Sequence, residues 1–386
     1  MPAANRSIGA RKDGCAGMTI AGGEFGLIRR IRQRMNYTGG RVVLGIGDDA
    51  AILTPPGGKL LASIDMLVEG IHFKKELITP WQLGWKALAV NISDIAAMGG
   101  SPLYALVSIG LDDSADDTYV DGIYEGLMAI ANQFDVKIVG GDTVRSPKAL
   151  VIDVAILGEA EAPVTRSGAR PGDLIAVTGC LGNSAAGLTL LLQDTGYRQV
   201  TGRGQDVSRG QDIPPGQNCD RRQEPGPKGD WKRMEEESSW ASELVQAHLQ
   251  PVPRVAEGIS LAGTGAVSAM IDISDGLSSE VNHIAEESNV GAVVYARDIP
   301  VSRALLAAAG AVGEDPLNWA LFGGEDYELV FTFPSAAIDA VKEALGRSGG
   351  RVYVVGEVLP AGEGVTLVER DGSVRDLLPG GYNHFA

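Results

Sequence analysis

Cysteine, basic residues and long apolar runs are all scarce in this chain, and each scarcity excludes something. The 3 cysteines, Cys15, Cys180 and Cys219, are odd in number and widely spaced. They make neither a disulfide framework nor a CxxC zinc pattern, which fits a reducing, cytoplasmic setting. Lys and Arg total 33 against 49 Asp and Glu, a net charge of -16. Nucleic acid and anionic membrane surfaces want a basic excess, so the balance argues against both as partners. Phosphorylated ligands stay open provided metal ions mediate. No apolar run reaches the length of a spanning helix. Residues 1–22 carry Arg6, Arg11, Lys12 and Asp13 without an apolar h-region, and read as a disordered extension rather than a secretory signal. The common catalytic fingerprints are missing too. There is no GxxxxGKS or GxxxxGKT phosphate loop, no GxGxxG opening a helix, no HRD or DFG set and no GxSxG elbow.

What is present is an alternation of strands and helices. At 386 residues the chain has room for two cores, since a single core rarely grows past about 250–300 residues. Apolar residues at Phe25, Leu27, Ile28, Ile31 and Met35 recur at helical spacing. Strands are expected at about 41–46 and 59–65, with Pro55-Pro56-Gly57-Gly58 turning between them. Residues 81–98 read as one helix whose buried stripe is Trp85, Leu88, Ala89, Ile92, Ile95 and Ala96. Asn91 and Asp94 share a face near its C-terminal end, where a carboxylate opposes the helix dipole and needs a compensating partner. Strands at 103–110, 136–139 and 150–157 around a helix at 118–133 give βαβ-type passages, which suggest a ferredoxin-like first unit. A second α/β unit follows. Within it, residues 194–239 are rich in Gly, Pro, Gln and Arg with few large apolar side chains, and read as a disordered insertion. The expected domains are 23–160 and 161–386.

Acidic residues mark the ends of apolar runs throughout: Asp49, Asp65, Asp94, Asp142, Asp272, Asp275, Glu325 and Asp326. Gly47, Gly141, Gly276 and Gly324 lie beside them, and strand ends are where open α/β sheets bind ligands. Any one of these could be a cap or a turn former. Together in one pocket they would be prohibitive without cations, whereas Mg²⁺ held by carboxylates and substrate phosphates reverses the sign. His72 reads as a structural histidine or a ligand contact, and Arg166 as a phosphate clamp or a surface residue.

The motifs GEFGLI (23–28), GIGDDAAIL (45–53), SIDMLVEGIHF (63–73), KALAVNISDIAAMGG (86–100) and GGDT (140–143) resemble those of the thiamine-monophosphate kinases. So do TRSGARPGD (165–173), SAAGL (184–188), DISDGL (272–277) and GGEDYEL (323–329). That family shares a superfamily with aminoimidazole ribonucleotide synthetase and selenophosphate synthetase. The resemblance implies a two-domain α/β (α+β), PurM-like fold, whose N-terminal sheets pair into a barrel across a homodimer. It implies ATP-dependent phosphorylation of thiamine monophosphate with several Mg²⁺ ions. Matched motif by motif, Asp49, Ser63, Asp65, Asp94, Asp142, Asp272 and Asp275 fall on metal-binding positions, with Asp65, Asp142 and Asp275 at the catalytic centre. Gly141, Asp142, Arg166 and Ser274 fall on nucleotide-side positions. His72, Glu325 and Tyr382 fall on positions facing the thiamine substrate. Ile64 stands where the family commonly has a hydroxyl residue. Two rival readings are another ATP-using enzyme of the superfamily and a non-catalytic nucleotide- or metal-binding regulator. Cys15, isolated in the loosely composed extension, fits the selenophosphate synthetases badly, and the complete acidic motifs argue against a regulator.

Overall fold

The computed structural model describes residues 23–35, 40–46, 51–55, 57–193 and 230–381, except the side chains of 23–25 and 230–239. In chain order its first half runs α1 (Gly23–Arg34), β1 (Val42–Leu44), β2 (Ile52–Leu53), β3 (Lys59–Val68), α2 (Pro80–Ala97), β4 (Ser101–Leu111), α3 (Asp117–Gln133), β5 (Lys137–Arg145) and β6 (Val151–Ala160). Four of these strands form a 4-stranded sheet in the order β3-β6-β4-β5. β4 runs parallel to β5, while β6 is antiparallel to both β3 and β4. Both expected βαβ passages are therefore present, and β6 splits the first. That split is what the sheet shares with a ferredoxin-like arrangement, although the element order here is β-α-β-α-β-β.

Local chemistry starts α2 where it does. The Gln82 amide donates to Thr79 Oγ1 at 3.2 Å, the Gln82 side chain accepts the Thr79 amide at 3.0 Å, and Pro80 opens the first turn. This reciprocal box satisfies donors that a helix start would otherwise leave orphaned. α2 and α3 then cover one face of the sheet, burying Leu83, Leu88, Ile92 and Ile95 against Ile123, Leu127 and the inward strand residues. The helices approach closely because Gly84 and Gly126 carry no side chain. A Cβ on Gly84 would overlap the Ile123 carbonyl, and one on Gly126 the Trp81 carbonyl. The β1–β2 segment covers part of the opposite face, packing Val42 against Tyr104 and Val139, while Leu60, Ile64, Met66, Leu106 and Val144 on the rest of it are exposed.

The second half runs β7 (Asp173–Val177), α4 (Asn183–Leu192), α5 (Asp230–Leu249), α6 (Val255–Gly263), β8 (Ala269–Asp272), α7 (Leu277–Ser288), β9 (Gly291–Tyr295), α8 (Arg303–Val312), α9 (Pro316–Phe322), β10 (Leu329–Pro334), α10 (Ile338–Arg347), β11 (Tyr353–Leu359), β12 (Val365–Val368) and β13 (Val374–Asp376). These strands build a 7-stranded sheet in the order β13-β12-β9-β11-β7-β10-β8, antiparallel except between β9 and β12. Both faces are covered. Ile175, Val177 and Val294 pack under α7, whereas Ala176, Met270, Phe331 and Phe333 pack under α10. Alternate residues of one strand thus serve two cores, which is why Leu329–Phe333 is apolar at every position but the buried Thr332.

Residues 230–239, placed with the insertion by composition, form the first half of α5; 194–229 lie outside the described residues. Cys180 is disulfide-bonded, contrary to the expectation of unpaired thiols. Among the described residues no helix is long and apolar enough to cross a membrane.

Gly84→Ala is expected to lower stability by about 1–3 kcal/mol despite alanine's better helix propensity, because the α2–α3 contact has no room to relax. Equilibrium denaturant unfolding measures it, and an unchanged midpoint would show that the helices can separate at no cost.

Candidate active site between the two sheets

A cleft of about 700 Å³ lies between the two halves of the chain. From the first half it is lined by the end of β3, the segment after it and one stripe of α2; from the second, by α4, α5, the segment after β8 and the segment before β10.

The period-2 alternation of β3 decides which of its residues reach the cleft. Ser63 pairs with Ile156 and Asp65 with Val154, residues buried beneath α2, so both face the helix. Ile64, between them, points to the open face and is 61% exposed. Its departure from the family's hydroxyl therefore removes no side chain from the cleft. On α2, Lys86, Val90 and Asp94 recur every fourth residue and line the cleft together. Asn91 steadies the junction: its Oδ1 accepts the Asp65 amide at 3.1 Å and its Nδ2 donates to the Ala87 carbonyl at 3.0 Å. Asp94 accepts the Ser63 hydroxyl, but its neighbours are otherwise acidic. Among the described residues no protein cation supplies the compensating partner that its position near the helix end calls for.

The second half brings its own carboxylates to the same place. Asp272, at the end of β8, accepts the Ser93 hydroxyl at 2.6 Å across the junction between the two halves. Beyond it the chain turns through Ser274 and Asp275 into α7, where Glu280 accepts the Asp275 amide at 3.1 Å. Arg166 is exposed, close enough for its charge to act on Glu280. The segment before β10 is backbone-strained. Glu325 and Tyr327 adopt φ of 65° and 51°, a left-handed conformation that costs a non-glycine residue on the order of 1–3 kcal/mol. Amides of Glu325 and Tyr327 hold it by donating to the carbonyls of Ser274 at 2.7 Å and Ile273 at 2.9 Å. Asp326, between them, turns back to accept the amides of Gly182 at 2.7 Å and Ser184 at 3.3 Å. Glu325 is thereby aimed into the cleft, against Lys86 and His248.

The electrostatics divide the cleft into two ends. Burial, then the charges of Asp272 and Asp65, push the Asp94 carboxyl up to about 8. Burial likewise drives Asp272 up to about 7 and raises Asp65, each aggravated by acidic neighbours. At the other end, burial alone would raise Glu325, but the Lys86 ammonium beside it brings it below its usual value. His248 is kept neutral, held down to about 3 by burial and by Lys86. In His72, Nδ1 accepts the Val68 amide at 3.0 Å, so the proton of the neutral ring sits on Nε2.

Of the sequence-predicted residues, Asp65, Asp94, Asp272, Ser274, Asp275, His72 and Glu325 line the cleft together. Ser63 stands behind Asp94, and Arg166 beside Glu280 at the rim. Gly141 and Asp142 do not line it: they are exposed on β5, the edge strand, where the Asp142 carboxylate accepts the Thr143 amide at 2.8 Å. Gly141 has a backbone reason of its own, since a Cβ there would overlap the Val107 carbonyl. Asp49 and Tyr382 lie outside the described residues. Lys86, Ser184, His248 and Glu280 had no assigned role from sequence. Lys86 alone left a signal, as a charge inside an apolar helical stripe. Among the described residues no three His, Cys, Asp or Glu side chains form a ready-made metal cage. The carboxylates fit instead a hard cation that keeps waters and shares phosphate oxygens with a substrate.

A carboxyl raised above its unfolded value stabilises the fold below the unfolded pKa, and that contribution is lost as pH rises through the folded value. The metal-free protein is therefore expected to unfold at progressively lower temperature as pH rises from about 4 to about 8, with Asp94→Asn flattening the decline. Thermal unfolding in chelator measures this, and a pH-independent midpoint would show the carboxylates to be solvated.

Two domain models match the chain. AIR synthase related protein, N-terminal domain, covers residues 47–160, and AIR synthase related protein, C-terminal domain, covers residues 228–369. The chain is 37% identical over 368 residues to the thiamine-monophosphate kinase of Escherichia coli O157:H7, covering 95% of this chain and 99% of that one. A crystal structure of thiamine-monophosphate kinase from Stenotrophomonas maltophilia K279a superposes with a TM-score of 0.72 at 32% identity, covering 90% and 96% of the two chains. A structure of AaThiL complexed with AMPPCP and TMP superposes with a TM-score of 0.67 at 33% identity, covering 94% and 97%. The fold, the acidic cleft and this near full-length similarity together make the chain a member of the thiamine-monophosphate kinase family.

Proposed function

We propose that this chain transfers the γ-phosphoryl group of ATP to thiamine monophosphate, yielding thiamine diphosphate and ADP. The observation that carries the reading is the meeting of Asp65 and Asp94 from one half with Asp272 and Asp275 from the other in a single cleft. The AaThiL relative complexed with AMPPCP and TMP supports the pair of substrates.

The acceptor is a phosphate oxygen already ionised at neutral pH, so no general base has to be found. The obstacle is charge. Like charges ~4 Å apart repel by about 4 kcal/mol per pair at an effective dielectric of 20. Mg²⁺, when bound, would supply the neutralisation of that charge. The carboxylates that hold it in this proposal are Asp65, Asp94, Asp272 and Asp275, with Ser63 fixing Asp94. Their motifs alone add Asp49, which lies outside the described residues, and Asp142, which stands on the edge strand β5 outside the cleft lining. Ser274, Arg166 and Gly141 belong to the nucleotide side; Arg166, planar and always charged, suits phosphate oxygens. His72, Glu325 and Tyr382 belong to the acceptor side. Transfer is direct and in line, with positioning and electrostatics as its main sources of rate.

The proposal includes a homodimer in the cytoplasm. The part of this sheet face that the β1–β2 segment leaves uncovered supports the dimer, since Leu60, Ile64, Met66, Leu106 and Val144 lie exposed on it among the described residues. Two units, 23–160 and 161–386, each built on one sheet, are part of the same reading.

A coupled assay for ADP is expected to show release that needs both thiamine monophosphate and Mg²⁺. Release independent of the acceptor would sink the reading. Asp65→Asn and Asp142→Asn are each expected to cut turnover by orders of magnitude with the fold intact by circular dichroism; near-normal turnover at saturating Mg²⁺ would remove the residue from the metal set. Radiolabelled ATP alone is expected to leave the protein unlabelled, and a labelled protein able to pass its phosphate to the acceptor would rule out direct transfer.

A further inference from the structure

Lys86 is 1% exposed, yet it sits on α2 among the buried residues Leu83, Ala87 and Val90. Its ammonium meets both Glu325 oxygens, at 2.9 and 3.0 Å, across the junction between the two halves of the chain. An ion pair that buries its lysine is a poor way to gain stability, because apolar side chains of the same volume commonly do as well. What the pair supplies is a local charge. Asp94 and Asp272 face other carboxylates and await a cation, whereas Glu325 has its counter-ion built in. The other groups facing Glu325 are His248 of α5 at 3.2 Å and His72 after β3; Asp326 and Tyr327 follow it in the chain. Ser184 of α4 stands 3.0 Å from His248 Nδ1 and completes the enclosure. Leu188, Trp319 and Phe322 give this end of the cleft an apolar wall suited to ring systems.

We propose that Lys86 is a positioning residue for the acceptor, fixing Glu325 as a metal-independent anion that binds the cationic and N–H-donating ring system of the acceptor. The inference rests on the acceptor proposed above, whose rings carry a fixed positive charge and an exocyclic amine. Losing Lys86 leaves Glu325, enclosed by the cleft, without its main counter-ion, so its carboxyl holds a proton more readily than in the wild type and binds a cation less well.

The test is steady-state kinetics on the full chain with ATP, Mg²⁺ and thiamine monophosphate, for wild type, Lys86→Met, Lys86→Arg, Glu325→Gln and the Lys86→Met/Glu325→Gln double variant. Lys86→Met is expected to raise KM for the acceptor ~10–100-fold, the size of one charged contact, while KM for ATP stays within about twofold. Its acceptor KM falls again as pH rises and Glu325 ionises, whereas that of wild type is flat. Lys86→Arg restores most of the loss, and the double variant matches Glu325→Gln alone. An unchanged acceptor KM, a loss confined to kcat, or additive effects in the double variant would overturn the proposal. If Lys86→Met does not fold, the double variant, which removes both charges, decides by the same comparison. Wild-type protein that releases no ADP with thiamine monophosphate would refute the proposed reaction instead. Calorimetric titration of thiamine monophosphate without ATP or metal then judges Lys86 by itself: equal binding by wild type and Lys86→Met refutes it, and loss in Lys86→Met supports it.

Discussion

Burying carboxylates beside one another is the constraint on which the arrangement of this protein depends. Asp94 and Asp272 come from different halves of the chain, each carries a single hydroxyl donor, Ser63 or Ser93, and each is pushed far above the ordinary carboxylate range. A fold under selection for stability alone would not assemble them. In the proposed function their cost is tolerated because they converge where a divalent cation and phosphate oxygens would share the charge. The same constraint explains the hydroxyl partners, since a serine lowers the cost of a buried carboxylate without neutralising it for good.

The scaffold keeps that cost local. α2 is capped at its start by Thr79 and Gln82, wedged against α3 through Gly84 and Gly126, and presents Lys86, Val90 and Asp94 on one stripe. Ser93, next to that stripe, reaches Asp272 in the other half. One helix therefore serves both ends of the cleft, the acidic end through Asp94 and the ion-paired end through Lys86. The strained backbone around Glu325 and Tyr327 completes the second end, and the Asp326 contacts to Gly182 and Ser184 hold that strain in place.

Much of this was legible in the chain. Helical spacing marked α1 and α2, apolar runs marked the strands, and the recurrence of acidic residues at strand ends marked the cleft. Asp65, Asp94, Asp272, Ser274, Asp275, His72 and Glu325 do meet there. The residues that escaped notice escaped for a physical reason. His248 lies at the end of a helix that follows a compositionally odd stretch, and its role depends on Glu325 being near. Glu280 looks like an ordinary first-turn acid until α7 folds back on the Asp275 amide. Asp142 shows the reverse, a residue whose motif placed it with the others but which stands on the edge strand, away from the cleft lining.

The sequence by itself determined the periodicities, the composition break after α4, the acidic strand ends and the family motifs, because these are properties of order along the chain. Tertiary structure alone decided which carboxylates share a cavity, which one acquires a lysine counter-ion, and which face of β3 sees the cleft. Those depend on distances between segments far apart in sequence, and electrostatic energy is a function of distance and burial rather than of residue order.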